Sequence, residues 1–396
     1  MMVPKLRFSE FSGEWENDLF GRIVTNKSSK YNPSTESKDL PCLEMDSISQ
    51  EDGRILHIYS AKQQVSIKNK FSAGDVLFGK LRPYLKKYIL APFDGACSSE
   101  IWVLNGLTIN NSFLFYYIQT KKFIEAANKS SGSKMPRADW SVISSEMMFF
   151  PLKEEQNKIA EFLSSVDEKI MLLNKQYDLL CQYKKGMMQK IFSQELRFKD
   201  DNENSFPQWS ILQLKDIAIR VTRKNKENNN TILTISGKDG LVDQMTYFNK
   251  QIASKNVTGY FLIKKGEFAY NKSYSQGYPM GAIKMLSNYE KGVVSTLYIC
   301  FKLNDEQSCG FYQHYFESGL QNRAIEKVAQ EGARNHGLLN IGVNDFFDIE
   351  LQVPSLAEQD KITHFLSAIE DKIAIKRAEL DMLKNWKQGL LQQMFV

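Results

Sequence analysis

The stretch Glu154 to Phe192, EEQNKIAEFLSSVDEKIMLLNKQYDLLCQYKKGMMQKIF, recurs without a gap 203 residues later as Ala357 to Phe395, AEQDKITHFLSAIEDKIAIKRAELDMLKNWKQGLLQQMF. Glu155, Gln156, Lys158, Ile159, Phe162, Leu163 and Ser164 reappear as Glu358, Gln359, Lys361, Ile362, Phe365, Leu366 and Ser367. Further on, Lys169, Ile170, Lys184, Gly186 and Phe192 reappear as Lys372, Ile373, Lys387, Gly389 and Phe395. Within the first copy Ile159, Leu163, Val166, Ile170, Leu173, Tyr177, Leu180, Met187 and Ile191 follow steps of four and three, with Lys184 as the polar seam position. The second copy places Ile362, Leu366, Ile369, Ile373, Leu380, Leu383, Leu390 and Met394 on the same track, with Lys376 and Lys387 as polar members. Such a heptad seam predicts two coiled-coil helices. Pro151 and Pro354 stand ahead of acidic first turns, as expected at helix starts. A helix of 39 residues is a rod of ~60 Å whose apolar seam needs a partner, and the other copy supplies one. Two like units in one chain pack about a pseudo-two-fold axis, which predicts antiparallel helices.

Working outward, the regions ahead of the helices share their anchors and diverge elsewhere. Leu6-Arg7-Phe8, Trp15 and Ile23 match Leu196-Arg197-Phe198, Trp209 and Ile217. Gly74-Asp75-Val76-Leu77-Phe78 aligns with Gly266-Glu267-Phe268-Ala269-Tyr270, and Cys97-Ser98-Ser99 with Val294-Ser295-Thr296. These regions read as mixed α/β, with strands expected at Asp75–Phe78, Ile101–Leu104, Thr231–Ile235 and Val293–Phe301 between turn signals at Asp52-Gly53, Asp94-Gly95 and Asp239-Gly240. The polar run Arg223 to Asn230 reads as an exposed loop. The resulting organisation is a variable domain over 1–153, a helix over 154–192, a second variable domain over 193–354 and a second helix over 355–396.

Composition narrows the class. At 396 residues the chain has room for two cores. With 42% hydrophobic and 24% charged residues, and no apolar run near the ~20 residues of a membrane span, it reads as an ordinary globular protein. The N-terminus lacks the apolar core of a secretory signal, which predicts a cytoplasmic location. Cys42, Cys97, Cys181, Cys300 and Cys309 are odd in number and scattered, against a disulfide framework or a zinc site. A net charge of +5 is compatible with a polyanionic partner but does not select one.

Catalytic signatures are missing. The sequence holds no phosphate-binding G-x-x-x-x-G-K-[ST] loop, G-x-G-x-x-G or H-E-x-x-H motif, and Asn32-Pro33 continues as Ser34 rather than as an amino-methyltransferase motif. Its histidines are His57, His314, His336 and His364, the last expected on a helix surface. Asp167-Glu168-Lys169 and Glu370-Asp371-Lys372 could be forced into a nuclease site, but alternating charge on a helix face is ordinary solvation.

Two clusters in each variable domain suit nucleic acid. Phe78-Gly79-Lys80-Leu81-Arg82-Pro83-Tyr84 and its counterpart Tyr270-Asn271-Lys272-Ser273-Tyr274 are basic and aromatic at a strand end, where Lys can position phosphate and Arg can read guanine. The competing reading is a surface loop with a solvated lysine and a packed tyrosine. Ser131-Gly132-Ser133-Lys134-Met135-Pro136-Arg137 answers to Glu331-Gly332-Ala333-Arg334-Asn335-His336-Gly337. A glycine there lets backbone approach a groove, though a plain connecting loop has the same composition. The expected DNA contacts are Lys80, Arg82, Tyr84, Ser133, Lys134, Arg137, Asn271, Lys272, Tyr274, Arg334 and Asn335.

The P-L-x-E-E-Q-x-K-I-A-x-F-L-x-x-x-D-x-K-I segment, its second copy after Pro354, and G-D-x-L-F-x-K-L-R-P-Y at Gly74 to Tyr84 resemble the specificity subunit of type I restriction–modification systems over essentially the whole chain. The resemblance implies two target-recognition domains, each reading half of a split asymmetric site in double-stranded DNA, with the helical pair as a ruler. It also implies two adenine-N6 methyltransferase subunits docked on the helices, with Ile159, Phe162, Leu163, Ile170, Ile362, Phe365, Leu366 and Ile373 as expected contact positions. An ATP-driven restriction subunit completes the complex. No cofactor is then expected on this chain; S-adenosylmethionine, ATP and Mg belong to the partners, because methylation requires a flipped adenine in a catalytic pocket that is not legible here. In the second copy K-L-R-P-Y becomes Asn271-Lys272-Ser273-Tyr274-Ser275, a departure that bears on how the second domain reads. The alternatives are an autonomous nuclease or methyltransferase, which needs motifs absent from the sequence, and a coiled-coil scaffold without DNA affinity.

Overall fold

The two repeats fold as single helices, Lys153–Phe192 and Leu356–Gln393, in a computed structural model that describes residues 3–129, 135–237, 239–248, 257–275, 277–329 and 339–396. Two compact units divide the chain: residues 1–175 with 377–396, and residues 176–376. Each unit therefore contains the beginning of one long helix and the end of the other.

In the first unit the strand Glu16–Leu19 pairs antiparallel with Met147–Phe150. A four-stranded sheet follows the order Val24–Thr25, Ile101–Gly106, Val76–Gly79, Tyr88–Leu90. A five-stranded sheet of short strands includes Pro41–Leu43 running parallel to Gly95–Cys97. In the second unit Ser210–Gln213 pairs with Glu350–Val353, and a four-stranded sheet runs Ala218–Val221, Ile299–Leu303, Phe268–Asn271, Ala282–Met285. This is the same strand order from counterpart segments. Helices rich in aromatic residues, Asn111–Tyr117 in one unit and Cys309–Ser318 in the other, bury Phe113, Tyr116 and Tyr117, and Phe311, Tyr312, Tyr315 and Phe316. The strand expected over Val293–Phe301 is two strands, Lys291–Val294 and Ile299–Leu303, broken by a turn in which Tyr298 N–H donates to the Ser295 carbonyl. The polar run from Arg223 is not simply an exposed loop either. Asn225 is buried and its amide holds the loop by donating to the Asn229 carbonyl at 2.9 Å, which is how a short polar side chain replaces missing backbone bonds.

The seam is buried towards the ends of each helix, while Leu173, Tyr177, Leu180, Met187, Ile373 and Leu383 are half-buried. Ile159, Leu163, Val166 and Ile170 share the first unit's core with Leu380, Leu390, Leu391, Met394 and Phe395. Ile362 and Leu366 share the second unit's core with Met188, Ile191 and Phe192. Domain residues such as Trp15 and Phe113, or Phe311 and Tyr315, belong to the same cores, so each domain covers part of the seam as well. The side chains of Ile159, Leu163, Ile170, Ile362 and Leu366, expected as contact positions for another subunit, are buried in intrachain packing. Ile373 is half-buried, while Phe162 packs edge-on against Phe8 and Trp386, and Phe365 packs against Phe198. His364 is exposed, as its place on the helix predicted.

Two of the polar seam positions, Lys387 and Lys184, are ion-paired. Lys387, only 8% exposed, stands 2.6 Å from the Asp167 carboxylate and donates to Gln119 Oε1 at 2.9 Å. In the second unit Lys184 pairs with Glu370. Asp167 and Glu370, the carboxylates of the forced nuclease reading, are thus each engaged with a seam lysine.

The matched glutamates tie each helix to its domain. Glu155, 2% exposed, accepts from Arg7 Nε at 2.8 Å, Arg7 Nη2 at 2.7 Å and Trp15 Nε1 at 3.4 Å. Glu358, 1% exposed, accepts from Arg197 Nε at 3.1 Å, Arg197 Nη2 at 2.7 Å and Trp209 Nε1 at 3.2 Å. The next residue repeats the pattern: Gln156 bonds the Pro151 carbonyl and the Asn110 N–H, and Gln359 bonds the Pro354 carbonyl and the Ser308 N–H. Orphan groups near each helix start are thereby satisfied by side chains.

His314 introduces a pH dependence into the second unit. It is 2% exposed, and its Nδ1 lies 3.6 Å from Glu370, too far for a hydrogen bond. Burial holds its pKa below the ordinary 6.5, with Lys184 acting in the same direction and Glu370 and Glu317 opposing. A lowered folded-state value means the neutral ring's stability is present above about pH 6.5 and is lost as pH falls towards the folded value. In a His314→Gln variant, the decline in melting temperature between about pH 7 and 5 should be shallower than in the wild type.

Candidate nucleic-acid interface

Strand Val76–Gly79 is buried along its length between Ile101–Gly106 and Tyr88–Leu90, and it delivers the chain to Lys80 at the sheet's end. Beyond it, Pro83–Leu85 forms one turn of 3₁₀ helix flanked by two basic residues in the left-handed region, Arg82 at φ 52° and Lys86 at φ 48°. That conformation costs an L residue about 1–2 kcal/mol, so the surroundings must enforce it. Arg82 N–H donates to the Pro136 carbonyl at 2.8 Å, and Leu85 N–H returns to the Arg82 carbonyl at 2.9 Å. Glu51 N–H donates to the Lys86 carbonyl at 3.0 Å, and its carboxylate pairs with the Lys86 ammonium at 2.7 Å. Strain is thus held at exposed Arg82 and half-buried Lys86, beside the loop's other basic and aromatic residues. Arg82→Gly relieves the strain, so the chain should unfold at equal or higher denaturant, by up to about 1 kcal/mol. Its affinity for duplex DNA should fall about tenfold with the loss of one arginine contact. Equilibrium denaturation and a binding titration check the two halves of this prediction.

The two clusters picked from the sequence meet. Leu81 and Arg137 form an antiparallel bridge, Ala138 N–H donates to the Lys80 carbonyl at 2.8 Å, and Arg82 N–H reaches Pro136. Lys80-Leu81-Arg82 and Pro136-Arg137-Ala138 are therefore one feature, although 56 positions separate Leu81 from Arg137. Arg82, Tyr84 and Arg137 are exposed, with Tyr84 at 52%. Arg137 Nε donates to Glu100 Oε2 at 3.0 Å. Glu100 carried no sequence signal, being a lone acid in no motif. Ser133 and Lys134 lie outside the described residues.

In the second unit the first cluster stands at the matching strand end, while the second, over residues 331–337, lies outside the described residues. Strand Phe268–Asn271 ends at Asn271, whose Oδ1 accepts from Ser273 N–H at 3.1 Å. The Lys272 carbonyl accepts from Leu339 N–H at 3.0 Å, as Lys80 does from Ala138, and the Lys272 ammonium donates to the Ile341 carbonyl at 3.4 Å. Tyr274 is 66% exposed. Gly281, at φ +74°, supports the turn: a Cβ there would come within 2.3 Å of the Asn271 carbonyl oxygen. Arg334 and Asn335 lie outside the described residues.

Burial fixes the chemistry of several nearby groups as structural. The thiols of Cys42 and Cys300 are pushed up to about 12 by burial, so both pack as neutral thiols. Among the described residues no group of three His, Cys, Asp or Glu side chains is arranged to hold a metal ion. No described helix is long and apolar enough to cross a membrane.

A family model described as the type I restriction modification DNA specificity domain matches residues 15–182. The type I restriction enzyme MjaVIII specificity subunit of Methanocaldococcus jannaschii is 31% identical over 116 residues, which cover 28% of this chain and 27% of that protein. The EcoDI specificity subunit of Escherichia coli is 28% identical over 133 residues, covering 33% and 30%. The chain thus matches under a third of the length of these two relatives. The putative MjaX specificity subunit of M. jannaschii matches end to end, at 22% identity over 98% of this chain and 94% of that one. Two solved structures share the fold: a chain from work on assembly and conformational transition of the type I R–M system, with TM-score 0.57 and 15% identity over 97% of this chain and 98% of that one, and the type I restriction–modification S subunit of M. genitalium, with TM-score 0.54 and 17% identity over 100% and 99%. The family model and the curated relatives all indicate a type I restriction–modification specificity subunit.

Proposed function

We propose that the chain is a non-catalytic, cytoplasmic reader of a bipartite asymmetric site in double-stranded DNA, one half-site per domain. It would direct adenine-N6 methylation or restriction by partner subunits. The observation that carries this reading is the convergence, in the first unit, of the two sequence clusters on one sheet end, with a comparable backbone contact at Lys272 in the second. Lys80 and Arg82 sit beside Arg137 in the first, and Lys272 sits beside Leu339 in the second. Counterpart positions carry different side chains on the same scaffold, which suits two readers of different sequences.

The long helices would act as an antiparallel ruler between the readers, related by a pseudo-two-fold axis. The pairing of Asp167 with Lys387 within one unit and of Lys184 with Glu370 within the other supports this reading. Fixed separation of two readers sets half-site spacing, as dimer geometry does in repressors. Two methyltransferase subunits carrying S-adenosylmethionine and an ATP- and Mg-dependent restriction subunit would supply the chemistry.

A salt titration with randomised and cognate duplexes tests the reading. Phosphate contacts make log affinity fall linearly with log salt, whereas a scaffold without DNA affinity gives no such dependence. Lys80→Ala should weaken all sequences and reduce the slope by about one. Arg82→Ala or Arg137→Ala should alter only the half-site read by residues 1–153.

A further inference from the structure

Glu100 stands one residue before strand Ile101–Gly106, against the loop that carries the expected DNA contacts. Its carbonyl accepts from Lys80 N–H at 2.9 Å, its N–H donates to Ser98 Oγ at 3.4 Å, and its carboxylate accepts from Arg137 Nε at 3.0 Å. Its own backbone is thus pinned to Lys80, while the backbone of Arg137 is pinned opposite Leu81. Both ends of the ion pair are set by the same small ladder.

The pair is poorly explained as a fold stabiliser. Arg137 is 52% exposed and Glu100 27% at their side chains, and ion pairs this open contribute little, since solvent screens them and two side chains lose rotamer freedom. Its chemistry is more informative than its energy. Among the described residues Glu100 engages Arg137 through Nε alone, which leaves Nη1 and Nη2. A guanidinium reads guanine O6 and N7 with two parallel N–H donors, and its selectivity depends on a fixed plane. A carboxylate on Nε fixes that plane without consuming the Nη pair. It also brings negative charge close to where DNA would bind, a cost to affinity that a bystander residue has no reason to impose.

We propose that Glu100 is a positioning residue for Arg137, holding its guanidinium for bidentate reading of one guanine in the half-site of the first domain. This rests on the DNA-reading function proposed above. It assigns Glu100 a role in specificity rather than in affinity, and the two have opposite signs on removal of its charge.

The test is selection of bound sequences from a pool of randomised duplex DNA by the full-length chain, for wild type, Glu100→Ala, Glu100→Gln, Arg137→Ala and Arg137→Lys. Melting temperatures of all five should agree closely. The wild type should prefer guanine at one position of the first half-site. Arg137→Ala and Arg137→Lys should abolish that preference, and Glu100→Ala should reduce it about three- to tenfold, part of the discrimination one bidentate contact supplies. Glu100→Gln, which keeps an acceptor for Nε, should lie between wild type and Glu100→Ala. The second half-site should be unchanged throughout. Two results overturn the positioning role while leaving the DNA-reading function intact: Glu100→Ala retaining the full guanine preference that Arg137→Ala loses, or Glu100→Ala tightening binding to all sequences equally. If Arg137→Ala leaves the first half-site unchanged, Arg137 is not a reader and both assignments fall.

Discussion

Glu155→Ala should cost the first unit about 3–5 kcal/mol, the penalty for leaving one member of a buried ion pair without its partner. The glutamate is 2% exposed and takes both forks of Arg7 together with the Trp15 indole N–H. Removing it strands a guanidinium whose side chain is 16% exposed. Arg7→Ala strands the carboxylate and should cost as much. Replacing both at once, Arg7→Met with Glu155→Leu, should recover most of the loss, because no buried charge then remains. The exposed pair that Lys158 of the same helix makes with Glu10, at 3.7 Å, is the internal control, and Lys158→Ala should change stability by less than about 1 kcal/mol. Glu358→Ala should reproduce the large effect in the second unit through Arg197 and Trp209. Denaturant titrations read by unit-specific hydrogen exchange distinguish the two, since the units need not unfold together. A cost below about 1 kcal/mol for Glu155→Ala would mean that the helix is held to its domain by apolar packing alone.

Phe395→Ala is expected to cost about 3–5 kcal/mol, as for large aromatic truncations in a closed core. The ring is 8% exposed and sits 5.2 Å from Phe113 and 6.3 Å from Tyr117 by centroid. The last turns of the second helix, with Leu390, Leu391 and Met394, belong to the first unit's core, and the Gln393 carbonyl accepts from Leu6 N–H at 2.9 Å. Truncation after Lys376 should therefore unfold the first unit, made of residues distant in sequence, and leave the second folded. Limited proteolysis should then yield a stable fragment from within 176–376. Survival of the first unit after truncation would contradict its assignment as one core.

The helices were legible because their signal is local and periodic: steps of three and four placed Ile159, Leu163 and Val166 on a seam, and that seam is buried. The meaning of Glu155 and Gln156 was less accessible. Their recurrence marks them only as repeated, whereas the structure uses them to bind Arg7, Trp15 and Asn110, contacts across 46 to 148 positions that no local pattern encodes. Periodicity likewise identifies an apolar face without saying what covers it; here the facing helix and the chain's own domains share that role. In the site, residue chemistry pointed to Lys80, Arg82 and Arg137 separately, while their meeting depends on a two-residue bridge between distant loops. The left-handed backbone of Arg82 and Lys86 was invisible for another reason. Glycine or asparagine advertises such a conformation, and arginine or lysine does not.

The most direct measurement is modified-base sequencing of DNA from cells that express this chain with its methyltransferase, before and after residues 193–354 are exchanged for the equivalent domain of another specificity subunit. Two readers on a common ruler predict a bipartite methylated site in which the exchange replaces one half-site and preserves the other half-site. Methylated sites that keep both halves after the exchange, or change both, would contradict it.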